Sequence, residues 1–245
     1  MAGEMAISAF DDPRLEWDHG EPSARGGSWK IDEAGELVVA PEPQRDYWSR
    51  TFYSPLLVKH DAQTLLATVP ADDEATLTTA FTLTPRAQFD QAGIMVLVDE
   101  GCWVKAGIEF TDGVPRLSCV VTNDGFSDWS TQAWRPPAPA AAAGATSVRV
   151  RVSKLLPGAA QGPCLVMEAC PCPGVGDSAA SPGDWCQVRI ASLRAGGSPW
   201  RMGLFAICPV ENAGCEARFH HVALGAKCEP VHRADNPLDG QPSGA

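Results

Sequence analysis

The sequence predicts an all-β fold, a two-sheet antiparallel sandwich with a jelly roll as its leading architecture. Three observations support this. About ten or more short apolar or alternating runs are separated by turn sequences. We find no helix pattern of three turns with start and stop signals, and no repeat of fixed period. A single open sheet of that many strands could not bury one face of each, so two packed sheets are required.

Composition is that of an ordinary globular protein. Of the 245 residues, 44% are hydrophobic and 20% are charged, so a core can form without metals or disulfides. The formal net charge is -11, and we find no basic patch. Such a chain repels phosphate backbones and anionic lipids, so neither nucleic acid nor a membrane is an expected partner.

The termini and cysteines suggest a reducing compartment. The segment 1–17 lacks a basic region followed by a long apolar region, and no apolar run approaches the roughly 18 residues that cross a bilayer. The nine cysteines are odd in number and irregularly spaced, and no Asn-X-Ser/Thr acceptor occurs. We therefore expect a cytoplasmic protein with free thiols and no cofactor.

The first third of the chain predicts short strands. Trp17, among Gly, Pro and acidic residues, indicates an opening strand or loop. A turn at 33–36 separates two apolar runs and predicts a hairpin. A run of mixed aromatic and polar residues follows and ends at Pro55. Leu65–Val69 is a short apolar run. In Thr76–Thr84, apolar and polar residues alternate with period two, which is typical of a half-buried strand.

A meander follows and carries the densest strand signal. Its three strands are predicted at Ile94–Val98, Trp103–Phe110 and Leu117–Thr122. Asp99-Glu100-Gly101 and Asp112-Gly113 separate them, and both are turn sequences that connect antiparallel strands.

The second half continues the pattern around two insertions. The low-complexity run near 136–145 and the Pro/Gly/Ser-rich run near 171–184 are predicted loops. Strand signal resumes after each of them, so residues 1–228 are predicted to form one domain. Residues 229–245, rich in Pro and Gly, are predicted to be a flexible tail. The predicted strands of this half are Val148–Val152, Cys164–Cys170, Trp185–Ala191, Met202–Ile207 and Cys215–Leu224.

Several segments resemble one known family. The matching segments are Asp46-Tyr47-Trp48, Phe89–Gly93, Trp103–Glu109, Val120–Thr122, Ser127–Ser130 and Gly203–Pro209. Together they resemble the uncharacterised domains named after the regulation of enolase protein, over roughly residues 15–225. The resemblance implies a concanavalin A-like lectin/glucanase jelly roll, a fold shared by sugar-binding proteins, glycoside hydrolases and domains with no known ligand, so it does not define function. The two predicted insertions depart from the family pattern and could alter the edge of a groove.

The strand at 103–110 separates core from candidate site. Its apolar side chains share one phase and predict a core face, because side chains alternate across a strand. If the three meander strands are neighbours, the other face carries a polar cluster: Gln91, Trp103, Lys105 and Glu109. Tryptophan beside polar groups suits a sugar, whose C–H face stacks on a ring while its hydroxyls take hydrogen bonds. The alternative is a Lys105–Glu109 salt bridge with Trp103 covered by a loop.

Four further side chains complete the candidate ligand-binding set: Asp46, Trp48, Asp90 and Asp128. Asp46 and Trp48 could line the groove or form a satisfied buried pair. Asp128-Trp129 is predicted to lie in a structural turn, in which the Asp128 carboxylate accepts hydrogen bonds from nearby backbone amides. No metal site is predicted, because Cys170-Pro171-Cys172 does not have the usual zinc-ligand spacing.

Catalysis is the weaker hypothesis. Glycoside hydrolysis normally needs two carboxyl groups flanking the scissile bond. Glu109-Phe110-Thr111-Asp112 has neither the spacing nor the phase of the Glu-x-Asp-x-Glu strand of glucanases, and no Gly-x-Ser-x-Gly elbow occurs. We therefore predict no catalytic residue and expect a binding or regulatory domain whose partner is a glycan or small polar ligand, or a metabolic enzyme. The alternative is a divergent glycoside hydrolase that uses Glu109 with Asp90 or Asp128.

Overall fold

The computed structural model describes residues 6–134, 144–158, 160, 162–171, 184–194, 197–211 and 214–232. Most of both predicted insertions and the tail from residue 233 onward lie outside this part of the chain. Among the described residues, no helix is long and apolar enough to cross a bilayer. The strands are β1 (Glu16–Asp18), β2 (Ser28–Ile31), β3 (Leu37–Ala40), β4 (Tyr47–Ser49), β5 (Val58–His60), β6 (Thr64–Val69), β7 (Ala75–Thr84), β8 (Gln91–Asp99), β9 (Cys102–Thr111), β10 (Val114–Asn123), β11 (Phe126–Ala133), β12 (Thr146–Leu155), β13 (Cys164–Pro171), β14 (Cys186–Ser192), β15 (Trp200–Ile207) and β16 (Glu216–Gly225).

The strands form two antiparallel seven-stranded sheets, so the predicted jelly-roll sandwich is confirmed. The front sheet has the order β1-β6-β15-β8-β9-β10-β11, and the back sheet has the order β14-β13-β12-β7-β16-β3-β2. The predicted hairpin is β2–β3, and the predicted meander is β8–β9–β10. One local prediction is wrong: Asp128-Trp129 lies inside strand β11, not in a turn.

Two apolar layers result from the alternation of side chains. Val104, Ala106 and Ile108 of β9 belong to the core between the sheets, as their phase predicts. On the outer face of the front sheet, the hairpin β4–β5 covers a second apolar cluster that includes Tyr47 and Trp103. This hairpin forms a partial third layer, and the candidate site lies beside it.

Two glycines allow the strands beside the site to approach closely. Gly93 of β8 lies directly opposite Gly107 of β9. A Cβ added at Gly93 would lie 2.2 Å from the carbonyl oxygen of Ala106, and one at Gly107 would lie 2.0 Å from that of Ala92. Neither position can hold a side chain unless the backbone moves, so glycine is required at both.

Candidate ligand-binding site

Polar side chains from β8 and β9 form the floor of a cavity on the outer face of the front sheet. Gln91 of β8 lies directly opposite Glu109 of β9. Lys105 lies on the same face of β9 as Gly107 and Glu109. All three are buried, with exposed fractions of 3% for Gln91, 5% for Glu109 and 4% for Lys105. Polar groups buried to this degree require partners, and the neighbouring segments supply them.

The cavity has a volume of about 230 Å³. Its polar lining consists of Asp46, Gln91, Lys105 and Glu109. Its other walls are apolar or aromatic and come from six segments: Trp48, Tyr53, Leu57, Phe89, Val120, Trp129, Pro209 and Val210. The site therefore combines a charged floor with aromatic walls.

Lys105 is held by a carboxylate from the covering hairpin. Its Nζ lies 3.1 Å from Asp46 Oδ1, and that oxygen also accepts a hydrogen bond of 2.8 Å from the backbone amide of Tyr47. The ammonium group has three donors, and Asp46 takes one of them, so among the described residues two remain without a partner. The alternative considered from the sequence was a salt bridge between Lys105 and Glu109. In the structure, Lys105 forms its salt bridge with Asp46 instead.

Glu109 is held by a hydrogen-bonded relay across three strands. Trp129 Nε1 donates to Ser118 Oγ over 2.9 Å, and Ser118 Oγ donates to Glu109 Oε2 over 2.5 Å. Burial raises the pKa of the Glu109 carboxyl, while the positive charge of Lys105 and the hydrogen bond from Ser118 oppose that rise. The relay fixes the Trp129 indole against the floor of the cavity.

The raised pKa of Glu109 predicts a pH-dependent effect of Glu109→Gln on stability. The folded state holds the proton more tightly than the unfolded chain, so this group's contribution to stability is complete below its unfolded pKa and is lost as pH rises through its folded pKa. Glutamine cannot ionise. We expect the melting temperature of Glu109→Gln, relative to wild type, to rise from pH 4 to pH 8.

Thermal denaturation across that pH range measures the difference. Glu33→Gln, at an exposed turn, controls for the loss of one negative charge. A difference between Glu109→Gln and wild type that stays constant, or that falls with pH, would show that burial does not dominate the energetics of Glu109.

The aromatic walls support one another at their edges. Trp48 meets Tyr53 with ring centroids 5.3 Å apart and Trp129 with centroids 6.4 Å apart, both in edge-on geometry. Phe89 also packs edge-on against Trp129, with ring centroids 6.4 Å apart. Trp48 Nε1 also donates a hydrogen bond of 3.0 Å to Thr51 O. The cavity is therefore bounded by rings held in position by packing and hydrogen bonds.

Five of the eight residues predicted from sequence line this cavity: Asp46, Trp48, Gln91, Lys105 and Glu109. Trp103 does not, although it has the same strand phase as Lys105. It is fully buried beneath Tyr47, with ring centroids 5.5 Å apart, and its Nε1 donates to Glu100 O over 3.2 Å. Trp103 supports the hairpin and offers no surface to a ligand.

The other two predicted carboxylates lie elsewhere. Asp90 is fully buried and accepts hydrogen bonds of 2.7 and 2.8 Å from the backbone amides of Arg86 and Ala87, so it stabilises the turn before β8. Asp128 is exposed and lies 3.1 Å from the guanidinium of Arg189 on the back sheet. Neither lines the cavity, so neither is placed to act with Glu109.

Several lining residues were not predicted from sequence: Tyr53, Leu57, Phe89, Val120, Trp129, Pro209 and Val210. Trp129 carried a usable signal, because a strand at 126–133 would place it beside Val120 on the polar face of the meander. The segment around Pro209 is distant in sequence and carries no comparable signal.

The floor presents hydrogen-bonding groups of both kinds. Within the described part of the chain, Lys105 Nζ donates to Asp46 and Gln91 Nε2 donates to Phe89 O, which leaves further donors on both side chains, while Asp46, Glu109 and Gln91 offer acceptors. Among the residues that the structure describes, no group of three or more His, Cys, Asp or Glu side chains could hold a metal ion.

Fold and cavity together define a concanavalin A-like β-sandwich domain with a small, aromatic-walled polar cavity on the outer face of one sheet. The chain belongs to the family described as Protein of unknown function (DUF1349), whose model matches residues 24–227. It is 40% identical over 107 residues to Regulation of enolase protein 1 of Saccharomyces cerevisiae, covering 41% of this chain and 48% of that protein. The resemblance noted in the sequence is thereby confirmed.

Two further proteins are similar to this chain. An uncharacterized protein of Emericella nidulans is 32% identical over 120 residues, covering 47% of this chain and 56% of the relative. The chain thus aligns with about half the length of the curated relatives it matches. The crystal structure of a functionally unknown protein from Saccharomyces cerevisiae superimposes with a TM-score of 0.64 at 26% identity, covering 88% of this chain and 98% of that one.

A glycoside hydrolase shares the fold at low identity. The GH43B protein of a Bacteroides ovatus xyloglucan locus superimposes with a TM-score of 0.57 at 13% identity, covering 93% of this chain and 40% of the hydrolase. At that identity the likeness concerns the fold alone.

Proposed function

We propose that this chain is a non-catalytic binding domain whose cavity takes one sugar residue. The observation that carries the proposal is the pairing of a floor rich in donors and acceptors with the walls of Trp48 and Trp129. A sugar needs both kinds of hydrogen-bond partner at its hydroxyls and an aromatic surface at its C–H face. The cavity, at about 230 Å³, is smaller than the roughly 300–1,000 Å³ of drug-sized sites, which favours a ligand of one ring.

In this proposal, binding serves a regulatory role in the cytoplasm. The name of the yeast relative refers to the regulation of enolase. As part of the proposal, this domain modulates a metabolic enzyme in response to its ligand, and the net charge of -11 disfavours nucleic acid and anionic membranes as partners. Hydrolysis is the less favoured alternative, since Asp90 and Asp128 do not accompany Glu109 in the cavity, and Asp46, the second carboxylate there, is paired with Lys105.

Removal of the Trp129 ring tests the proposal. We expect Trp129→Ala to weaken the binding of a sugar by roughly tenfold to hundredfold, because it removes the stacking surface and one end of the relay to Glu109. A thermal-shift screen of monosaccharides on wild type selects the probe, and isothermal titration calorimetry measures affinity.

Trp185→Ala is the matched control, because Trp185 is half-buried near the back sheet, against Arg151. It should retain the wild-type affinity. Failure of every sugar, mono- or oligosaccharide, to bind wild type would overturn sugar binding and favour a protein partner for this face.

A further inference from the structure

We propose that the sugar in the cavity belongs to a longer glycan and that Phe52, at the rim, stacks on the adjoining sugar residue. This inference rests on the proposed sugar-binding function. It specifies the ligand class as an oligosaccharide or polysaccharide chain, with at least one further contact outside the cavity.

Phe52 contributes little to packing among the residues that the structure describes. It is 89% exposed, the largest exposed fraction among the exposed large hydrophobic residues of the described chain. Its ring centroid lies 5.4 Å from that of Tyr53, which lines the cavity. A bare phenyl face beside the lining is therefore available to whatever extends out of the cavity.

The loop presents this ring in an unfavourable backbone conformation. Phe52 has a φ of 71° and Arg50 has a φ of 62°, both in the left-handed region that non-glycine residues rarely adopt. Phe89, which also lines the cavity, has a φ of 69°. Local hydrogen bonds hold the loop, with Arg50 N donating to Leu57 O over 2.9 Å and Tyr53 N donating to Thr51 O over 2.9 Å. Strain of this kind concentrates at binding sites.

Because the cavity is small, a glycan longer than one sugar residue must also contact its rim. A volume of about 230 Å³ accommodates one ring, so any residue linked to it must lie in the opening. Tyr53 lines the cavity and its ring contacts that of Phe52, so a glycan chain that leaves the cavity past Tyr53 would meet Phe52. Aromatic rings at successive positions suit successive sugars, each of which presents a C–H face.

Paired titrations test the inference. Isothermal titration calorimetry compares D-glucose with cellotetraose and maltotetraose, and D-xylose with xylotetraose, on wild type, Phe52→Ala and Phe52→Gly. The glycine variant removes the ring and also relieves the positive φ, so a loss of binding there cannot be attributed to backbone strain at this position. Phe126→Ala is the matched control, because Phe126 is 59% exposed but packs against Arg50.

We expect at least one tetrasaccharide to bind wild type about tenfold more tightly than its monosaccharide. Both Phe52 variants should lose that advantage while their monosaccharide affinity stays within about twofold of wild type, and Phe126→Ala should keep it.

Two outcomes would overturn the inference alone: a monosaccharide that binds as tightly as its tetrasaccharide, or Phe52 variants that keep the tetrasaccharide advantage. In both cases the sugar cavity itself would stand. If no saccharide binds wild type, the proposed function fails and the glycan inference fails with it, and the exposed rim would then be assigned to a protein partner.

Discussion

Lys105→Met is expected to lower the free energy of unfolding by about 3–5 kcal/mol at neutral pH. Lys105 is 4% exposed, and among the residues that the structure describes it is the one cation that lines the cavity beside Asp46 and Glu109. Methionine fills much of the same volume but leaves both carboxylates without a cation. The cost is electrostatic, since an unpaired buried charge is more costly than the neutral or paired group.

Denaturant unfolding of single and double variants measures this cost. Adding Glu109→Gln to Lys105→Met should recover at least about 1 kcal/mol, because one of the two carboxylates is then neutral. Lys30→Met, at an exposed position, is the control and should stay within about 0.5 kcal/mol of wild type. If Lys105→Met loses no more free energy of unfolding than Lys30→Met, Lys105 does not stabilise the carboxylates of the cavity floor.

Lys154→Met should also cost about 3–5 kcal/mol, for a different reason. Lys154 is fully buried, and its Nζ donates to three backbone carbonyls, those of Pro70 at 2.9 Å and of Ala71 and Asp73 at 2.6 Å each. It also lies 5.0 Å from the ring centroid of Trp200. Burial lowers the pKa of Lys154. Removing the side chain takes a donor from all three carbonyls, although Pro70 O keeps a hydrogen bond of 3.2 Å from the backbone amide of Asp73.

Chemical denaturation of Lys154→Met compared with Lys227→Met checks this expectation. Lys227 is 45% exposed and forms a surface ion pair of 2.7 Å with Glu74, so its replacement should cost no more than about 1 kcal/mol. Equal losses in the two variants would mean that the turn at 70–73 does not depend on the buried ammonium.

The fold could be predicted in most of its parts because strand signals are local. Alternation in β7 and β9, and turn sequences at 99–101 and 112–113, depend on neighbours in sequence. Strand β11 was missed because its outward residues are polar, and only pairing with β10 makes it a strand. Lys154 had a usable signal: it has the same phase as Val148, Val150 and Val152, which face the core.

The candidate site could be predicted only in its floor. The alternation of side chains along a strand depends on strand geometry alone, so it placed Lys105 and Glu109 on one face. It could not distinguish Trp103, which the hairpin β4–β5 covers, from Trp129, which lines the cavity. That distinction depends on contacts between residues more than forty positions apart, such as Tyr47 with Trp103.

The sequence by itself determined an acidic two-sheet β-sandwich, its family and the polar phase of its central meander, because each depends on composition or on short-range pattern. The tertiary structure alone decided which of those polar residues share a cavity. It assigned Asp90 to a turn and Asp128 to a contact between the sheets. It brought Asp46, Trp129 and Pro209 together at one site, since side chains from distant segments meet only when the sheets and the covering hairpin have packed.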